Sequence, residues 1–284
     1  MKRIVNCLLS GGLMAACVYV MPAQSPGPSK ILRIIREEVK PGRGAAHERV
    51  EAGYVRALAK TSYPGYIALE TISGGSEVWF LGRYESYAEM GKAQKIAEEE
   101  PLKSTLDSLD AQDGELLTGV RNLICVYHPE LSYVPVPPNL PAMRYMSVNM
   151  LRIRPGRQQE MAEMRKLLNA AWEKSGSKQR RVVYAVTSGA PSGTYVILGG
   201  MASLEAMDQV PSLTMAEAFG DSLGRYRTLY TEIVMGSENT MFAVNPRMSN
   251  PPKEYLTAAP DFWGQKPKTS AKGTAARSTP DQHE

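Results

Sequence analysis

The sequence predicts an α+β fold of two βαββαβ units, with their sheets packed together and their helices outside. Three observations predict it. Apolar-alternating runs end in matching turns, Lys40-Pro41-Gly42-Arg43 and Arg154-Pro155-Gly156-Arg157. Proline fixes φ and glycine accepts a positive φ, so each motif stops a strand and lets a helix begin. Each half then carries a hairpin signal, through Ser73-Gly74-Gly75-Ser76 and through Gly189-Ala190-Pro191-Ser192-Gly193. Finally, the halves keep register. Pro41 and Pro155 are 114 apart, Trp79 and Tyr195 are 116 apart, and Met90 and Met207 are 117 apart. Gly119 and Gly236, Asn122 and Asn239, Pro129 and Pro246, and Ser132 and Ser249 hold the offset of 117. The drift falls at loops, where insertions are tolerated.

The elements follow in order. Residues 31–39 alternate as a strand, and 44–60 form a helix with Ala46, Val50, Tyr54 and Leu58 four apart. Residues 66–72 and 78–84 are the hairpin strands, 86–110 are helical with a break at Pro101, and 115–127 close the unit as a strand. The second unit repeats this with a strand at 145–153 and a helix at 158–174 carrying Met161, Met164, Leu168 and Trp172 on one face. Hairpin strands at 181–187 and 195–198, a helix at 203–225 broken near Pro211, and a strand at 232–244 complete it. The strands are apolar on both alternating sets, so the sheet face away from the helices needs a cover. The other copy supplies one.

The domain plan is a leader at 1–23, a linker at 24–30, a first unit at 31–132, a Pro-rich linker at 133–143 and a second unit at 144–249. Residues 250–284 form a tail with little structure, whose first part docks through Tyr255, Phe262 or Trp263. The leader reads as a secretory signal, with Lys2 and Arg3 before an apolar stretch and Ala23 at the cleavage point. Lipid attachment at Cys17 is the weaker rival, because apolar residues continue past the cysteine. After cleavage Cys125 alone remains, a small core residue that cannot form an internal disulfide. Export without disulfides suits a bacterial periplasm. The net charge of +4 is too mild to imply nucleic acid or an anionic membrane as partner.

The order of elements, the Pro-Gly-Arg turns and the duplicated unit resemble the dimeric α/β-barrel superfamily of ferredoxin-like units. Within it the chain is similar to NIPSNAP-like and antibiotic-biosynthesis-monooxygenase-like domains over about residues 31–249. The resemblance implies an intramolecular barrel. It leaves activity open, because relatives include cofactor-free monooxygenases, haem-degrading enzymes, isomerases and proteins without known activity. A haem-degrading relative places an axial histidine on the second helix, and residues 86–110 and 203–225 contain none. No cofactor is therefore expected.

His47 lies one turn into the first helix, where the second unit has Met161. It is a packed or edge histidine, or else a base lining a pocket, with Glu51 four residues on to orient it. His128 precedes Pro129 as Asn245 precedes Pro246, which suggests a polar strand end. No His/Cys/Asp cluster has metal-ligand spacing, and no nucleophile elbow, P-loop or dinucleotide fingerprint occurs, so no metal is expected. Tyr66, Trp79, Tyr84 and Tyr195 on the hairpins are the ligand-lining candidates. Arg36, Glu37 and Glu38 read as paired surface charge, with the rim of a pocket mouth as the lesser reading. The expected role is binding of a small apolar or aromatic molecule, or a non-catalytic one. A cofactor-independent monooxygenase or isomerase using His47 and Tyr54 is the alternative, and a protein-interaction module a further one. A pocket holding His47 beside Trp79 or Tyr84 separates the enzyme from the interaction module.

Overall fold

The computed structural model describes residues 27–208 and 212–265. The expected leader, the break near Pro211 and the tail beyond residue 265 lie outside them. The first half runs β1 (Ile31–Val39), α1 (Gly44–Leu58), β2 (Tyr66–Thr71), β3 (Glu77–Tyr84), α2 (Tyr87–Ala97), α3 (Leu102–Gly114) and β4 (Leu117–Tyr127). The second runs β5 (Tyr145–Ile153), α4 (Gln158–Lys174), β6 (Val182–Ser188), β7 (Thr194–Met201), α5 (Met215–Phe219), α6 (Ser222–Ile233) and β8 (Val234–Asn250). Both Pro-Gly turns are as expected, with Gly42 at φ 76° and Gly156 at φ 83° joining strand to helix. Two differences are local. Helix α6 continues to Ile233 because Leu229 and Ile233 are wholly buried on one face, and β8 extends to Asn250.

The strands form one closed barrel in the order β1-β3-β2-β8-β5-β7-β6-β4. The halves join edge to edge, with Glu70 opposite Ala243 where β2 meets β8 and Val126 opposite Ala185 where β4 meets β6. Closure leaves no edge among these strands to template aggregation. Strand alternation then sorts the side chains. Leu32, Ile34, Leu123, Val148, Val196 and Phe242 fill the interior, while Ile153, Met161, Leu229 and Ile233 pack between the second half's sheet and helices.

The tail's first part is not structureless. It forms α7 (Lys253–Ala258) and α8 (Pro260–Trp263), which send Tyr255 and Trp263 into the interior cluster. The Trp263 indole Nε1 donates to the Pro141 carbonyl at 2.9 Å, and Arg144 stacks 3.8 Å over the Phe262 ring. Burying two aromatic side chains explains why this stretch docks.

Strand pairing also corrects one match between the halves. Arg36 of β1 faces Trp79 of β3, and Met150, 114 residues on, faces Val196 of β7. Val196, rather than Tyr195, therefore stands where Trp79 does. A slip of one residue moves a side chain to the other face of a strand, and the two aromatics do lie on opposite faces.

Candidate functional site

On β1 the interior set is Leu32, Ile34 and Arg36, which turns Glu37 outward beneath the helices. Arg36 and Glu37 are not surface charge, being 9% and 8% exposed. Arg36 enters the barrel, pairs with Glu77 at 3.0 Å and lies 4.3 Å over the Trp79 ring. Glu37 meets α1, whose 3.6-residue period brings His47 and Glu51 to one face. Asp113 closes the group from the last turn of α3.

His47 is wholly buried, and its Nε2 lies 2.9 Å from Glu37 Oε2 and 3.6 Å from Asp113 Oδ1. One ligand-capable atom from each of Glu37, His47, Glu51 and Asp113 falls within 4.8 Å of the other three. Spacing along the sequence does not show this group, because it comes together in space from three separate elements, β1, α1 and α3. Only the His47–Glu51 spacing was visible beforehand. Burial is the main cause raising the Glu51 carboxyl well above its usual range, with Glu37 and Asp113 adding repulsion. Asp113 is pushed up to about 6, first by burial and then by Glu37, against an opposing pull from His47.

A cavity of about 250 Å³ opens beside the cluster, between the sheet and α1, α2 and α3. Its walls include Tyr54, Tyr63, Tyr66, Phe80 and Tyr84, and its polar groups include Glu37, Glu51 and Asp110. The Tyr54 hydroxyl donates to Asp110, and burial followed by that bond raises its pKa. Burial likewise raises Tyr66 and Tyr84.

Of the expected site residues, Tyr54, Tyr66 and Tyr84 share this cavity. His47 sits behind its carboxylates and contributes nothing to its wall. Trp79 points into the barrel, 5.1 Å from the Phe242 ring, with Nε1 donating to Glu77. Tyr195 belongs to the other half, packed with Leu131 and Val183 and 6.3 Å from the His128 ring. The pocket therefore holds Tyr84 without either His47 or Trp79.

The second half has a cavity of about 520 Å³ in the corresponding place, lined by Met164, Leu168, Trp172, Tyr226 and Tyr230. Among the described residues its charged groups are Arg165 and Arg181, and no carboxylate lines it. At the offset of 114, Leu151, Met161 and Arg165 replace Glu37, His47 and Glu51, and at 117 Tyr230 replaces Asp113. Arg165 is 3% exposed and donates to the Leu131 carbonyl at 2.9 Å, with burial lowering its pKa to about 10.

No family model matches the chain, and no curated protein matches it. Solved structures do. A proposed monooxygenase from Fusobacterium nucleatum aligns with TM-score 0.52 at 11% identity, covering 76% of this chain and 93% of that one. An anthrone oxidase-like protein aligns with TM-score 0.51 at 14% identity, covering 76% and 91%. A chlorite dismutase from Candidatus Nitrospira defluvii covers 81% of this chain and 95% of its own at 11% identity, with TM-score 0.47. At such identities the likeness speaks for architecture alone. With the closed antiparallel barrel and its outer helices, it identifies the fold as the dimeric α/β barrel, closed here within one chain.

Proposed function

We propose that the first half is a binding site for a small, neutral, mainly aromatic molecule. One observation carries this reading: a cavity of about 250 Å³ walled by tyrosines and Phe80, with the carboxyl groups of Glu37, Glu51 and Asp110 on its surface. A dry cavity of roughly 150 Å³ already accepts benzene, so a somewhat larger ring system has room here. Ring stacking supplies affinity, and the carboxyl and phenol groups select a ligand that donates hydrogen bonds. An anionic ligand would meet the three carboxyl groups of Glu37, Glu51 and Asp110, which outnumber Arg33 on the same wall.

A panel of phenols and fused-ring alcohols, set against their carboxylated analogues, tests the proposal by native mass spectrometry and thermal shift. The neutral compounds should bind, the carboxylates should not, and Tyr66→Ala should weaken the response. Equal binding of both series, or an undiminished response in Tyr66→Ala, sinks it.

The monooxygenase or isomerase reading is the second one, favoured by acidic groups placed directly on the cavity. Glu37, Glu51 and Tyr54 then face the substrate, in place of the His47–Tyr54 pair. An isomerase only moves a proton between two substrate atoms. A monooxygenase consumes dioxygen, turning an activated CH2 into C=O and releasing water. Dioxygen uptake with the bound phenols separates these outcomes.

The shared element order and Pro-Gly turns support a tandem duplication of a ferredoxin-like, NIPSNAP-like unit. The export reading rests on residues 1–23 alone, and no helix among the described residues is long and apolar enough to cross a membrane.

A further inference from the structure

We infer that Glu37, His47, Glu51 and Asp113 bind one divalent transition-metal ion of the Mn2+, Fe2+ or Zn2+ class. Glu37 and Glu51 also line the adjacent cavity, so the ion would sit at its edge, but the inference does not rest on which molecule fills that cavity.

Its first support is geometric. The four ligand-capable atoms lie within 4.8 Å of one another on rigid elements, two of them one helical turn apart on α1. Metal bonds to imidazole nitrogen and carboxylate oxygen of about 2.0–2.2 Å put ligand atoms roughly 3.4 Å apart in a tetrahedral site and roughly 4.2 Å apart across an octahedral one. Small rotations of the glutamates about their χ angles close the difference.

The second support is unmet bonding. Asp113 Oδ1 is fully buried without a hydrogen-bond partner, yet it faces the His47 ring at 3.6 Å. His47 Nδ1 is also without one, so the imidazole is fixed only through Nε2. A buried acceptor left unmatched costs free energy.

The third support is charge. Among the described residues, the ion pairs of this group are those of His47 with Glu37 and Asp113, and no lysine or arginine pairs with it. Three carboxyl groups packed against one imidazole need a cation or shared protons. Three hard oxygen donors with one imidazole suit Mn2+, Fe2+ or Zn2+ better than the all-oxygen preference of Ca2+ and Mg2+ or the soft ligands of Cu+.

The full chain, stripped with chelator, is titrated with MnCl2 while the electron paramagnetic resonance signal of free Mn2+ and the thermal unfolding midpoint are followed. One ion should bind per chain and raise the midpoint. Glu51→Gln and Asp113→Asn should each weaken binding at least about tenfold, the scale known for groups that merely support a metal site. Asp107→Asn, which removes an exposed carboxylate from the same helix, should bind as the parent does. The inference falls if the folded parent takes up neither Mn2+ nor Zn2+ at millimolar concentration, or if both cluster variants bind like the parent. It falls equally if both variants raise the midpoint of chelated protein while metal leaves the parent unmoved, because the carboxyl groups then share protons. Phenol binding by the chelated chain is read separately, so each reading can fail alone.

Discussion

The two halves share a backbone plan and hold opposite chemistry in the same place. Beneath α1 and α3 lie Glu37, His47, Glu51 and Asp113, beside a cavity on which the carboxyl groups of Glu37, Glu51 and Asp110 outnumber the Arg33 guanidinium. Beneath α4 and α6 lie Leu151, Met161 and Arg165, with Tyr230 exposed at the rim, near a cavity whose charged groups among the described residues are Arg165 and Arg181. The lesson concerns symmetry. When two identical chains build a barrel, every substitution lands in both halves, so acidic and basic sites cannot be chosen separately. One chain carrying both halves escapes that constraint. Here one half keeps the apolar Leu151 and Met161 where the other spends stability on buried Glu37 and His47.

The largest test breaks the apolar seam. Met161 is wholly buried, so Met161→Ala should cost about 2–5 kcal/mol in urea unfolding. A smaller loss would mean that the second half relaxes around the truncated side chain. The converse change converts the acidic seam toward its counterpart. Glu37→Leu with His47→Met should stabilise chelated protein by about 1–4 kcal/mol, as replacing buried charge with apolar volume often does. A loss of stability would show that the cluster supports folding without any ion. Arg165→Met comes next. It removes a charge-assisted bond to the buried Leu131 carbonyl and should cost about 1.5–3 kcal/mol, with no effect on phenol binding in the first cavity. The smallest effect belongs to Tyr54→Phe, which loses a bond to Asp110 and should cost about 1 kcal/mol or less while weakening phenol binding measurably.

Much of the architecture was legible because it is written locally. The Pro-Gly-Arg turns, the two-residue alternation of β1 and β5 and the four-residue spacing on α1 and α4 depend on neighbours in sequence. The site was legible only in part. Tyr54, Tyr66 and Tyr84 were singled out as aromatics on the right elements, and His47 with Glu51 as a helical pair. Glu37 looked like surface charge because it sits among Arg36 and Glu38, and only pairing within the barrel shows that it turns toward α1. Asp113 gave no local signal, as its role depends on α3 returning to the end of β1. Residue type pairs Trp79 with Tyr195, whereas strand register pairs it with Val196, one place on and on the opposite face from Tyr195.

The seam between β2 and β8 has a further consequence for synthesis. Glu70 pairs with Ala243, so β2 stays without that neighbour until β8, from the far half of the barrel, has been made. Pairings this distant in sequence carry a large loop-closure cost and slow folding. Until β8 arrives, the first half presents open strand edges and the apolar face that will become the barrel interior, a species prone to self-association. The barrel therefore stays vulnerable for longest where its two halves must meet, and Tyr255 and Trp263, which follow β8, are among the last of these groups to be synthesised before its interior can be sealed.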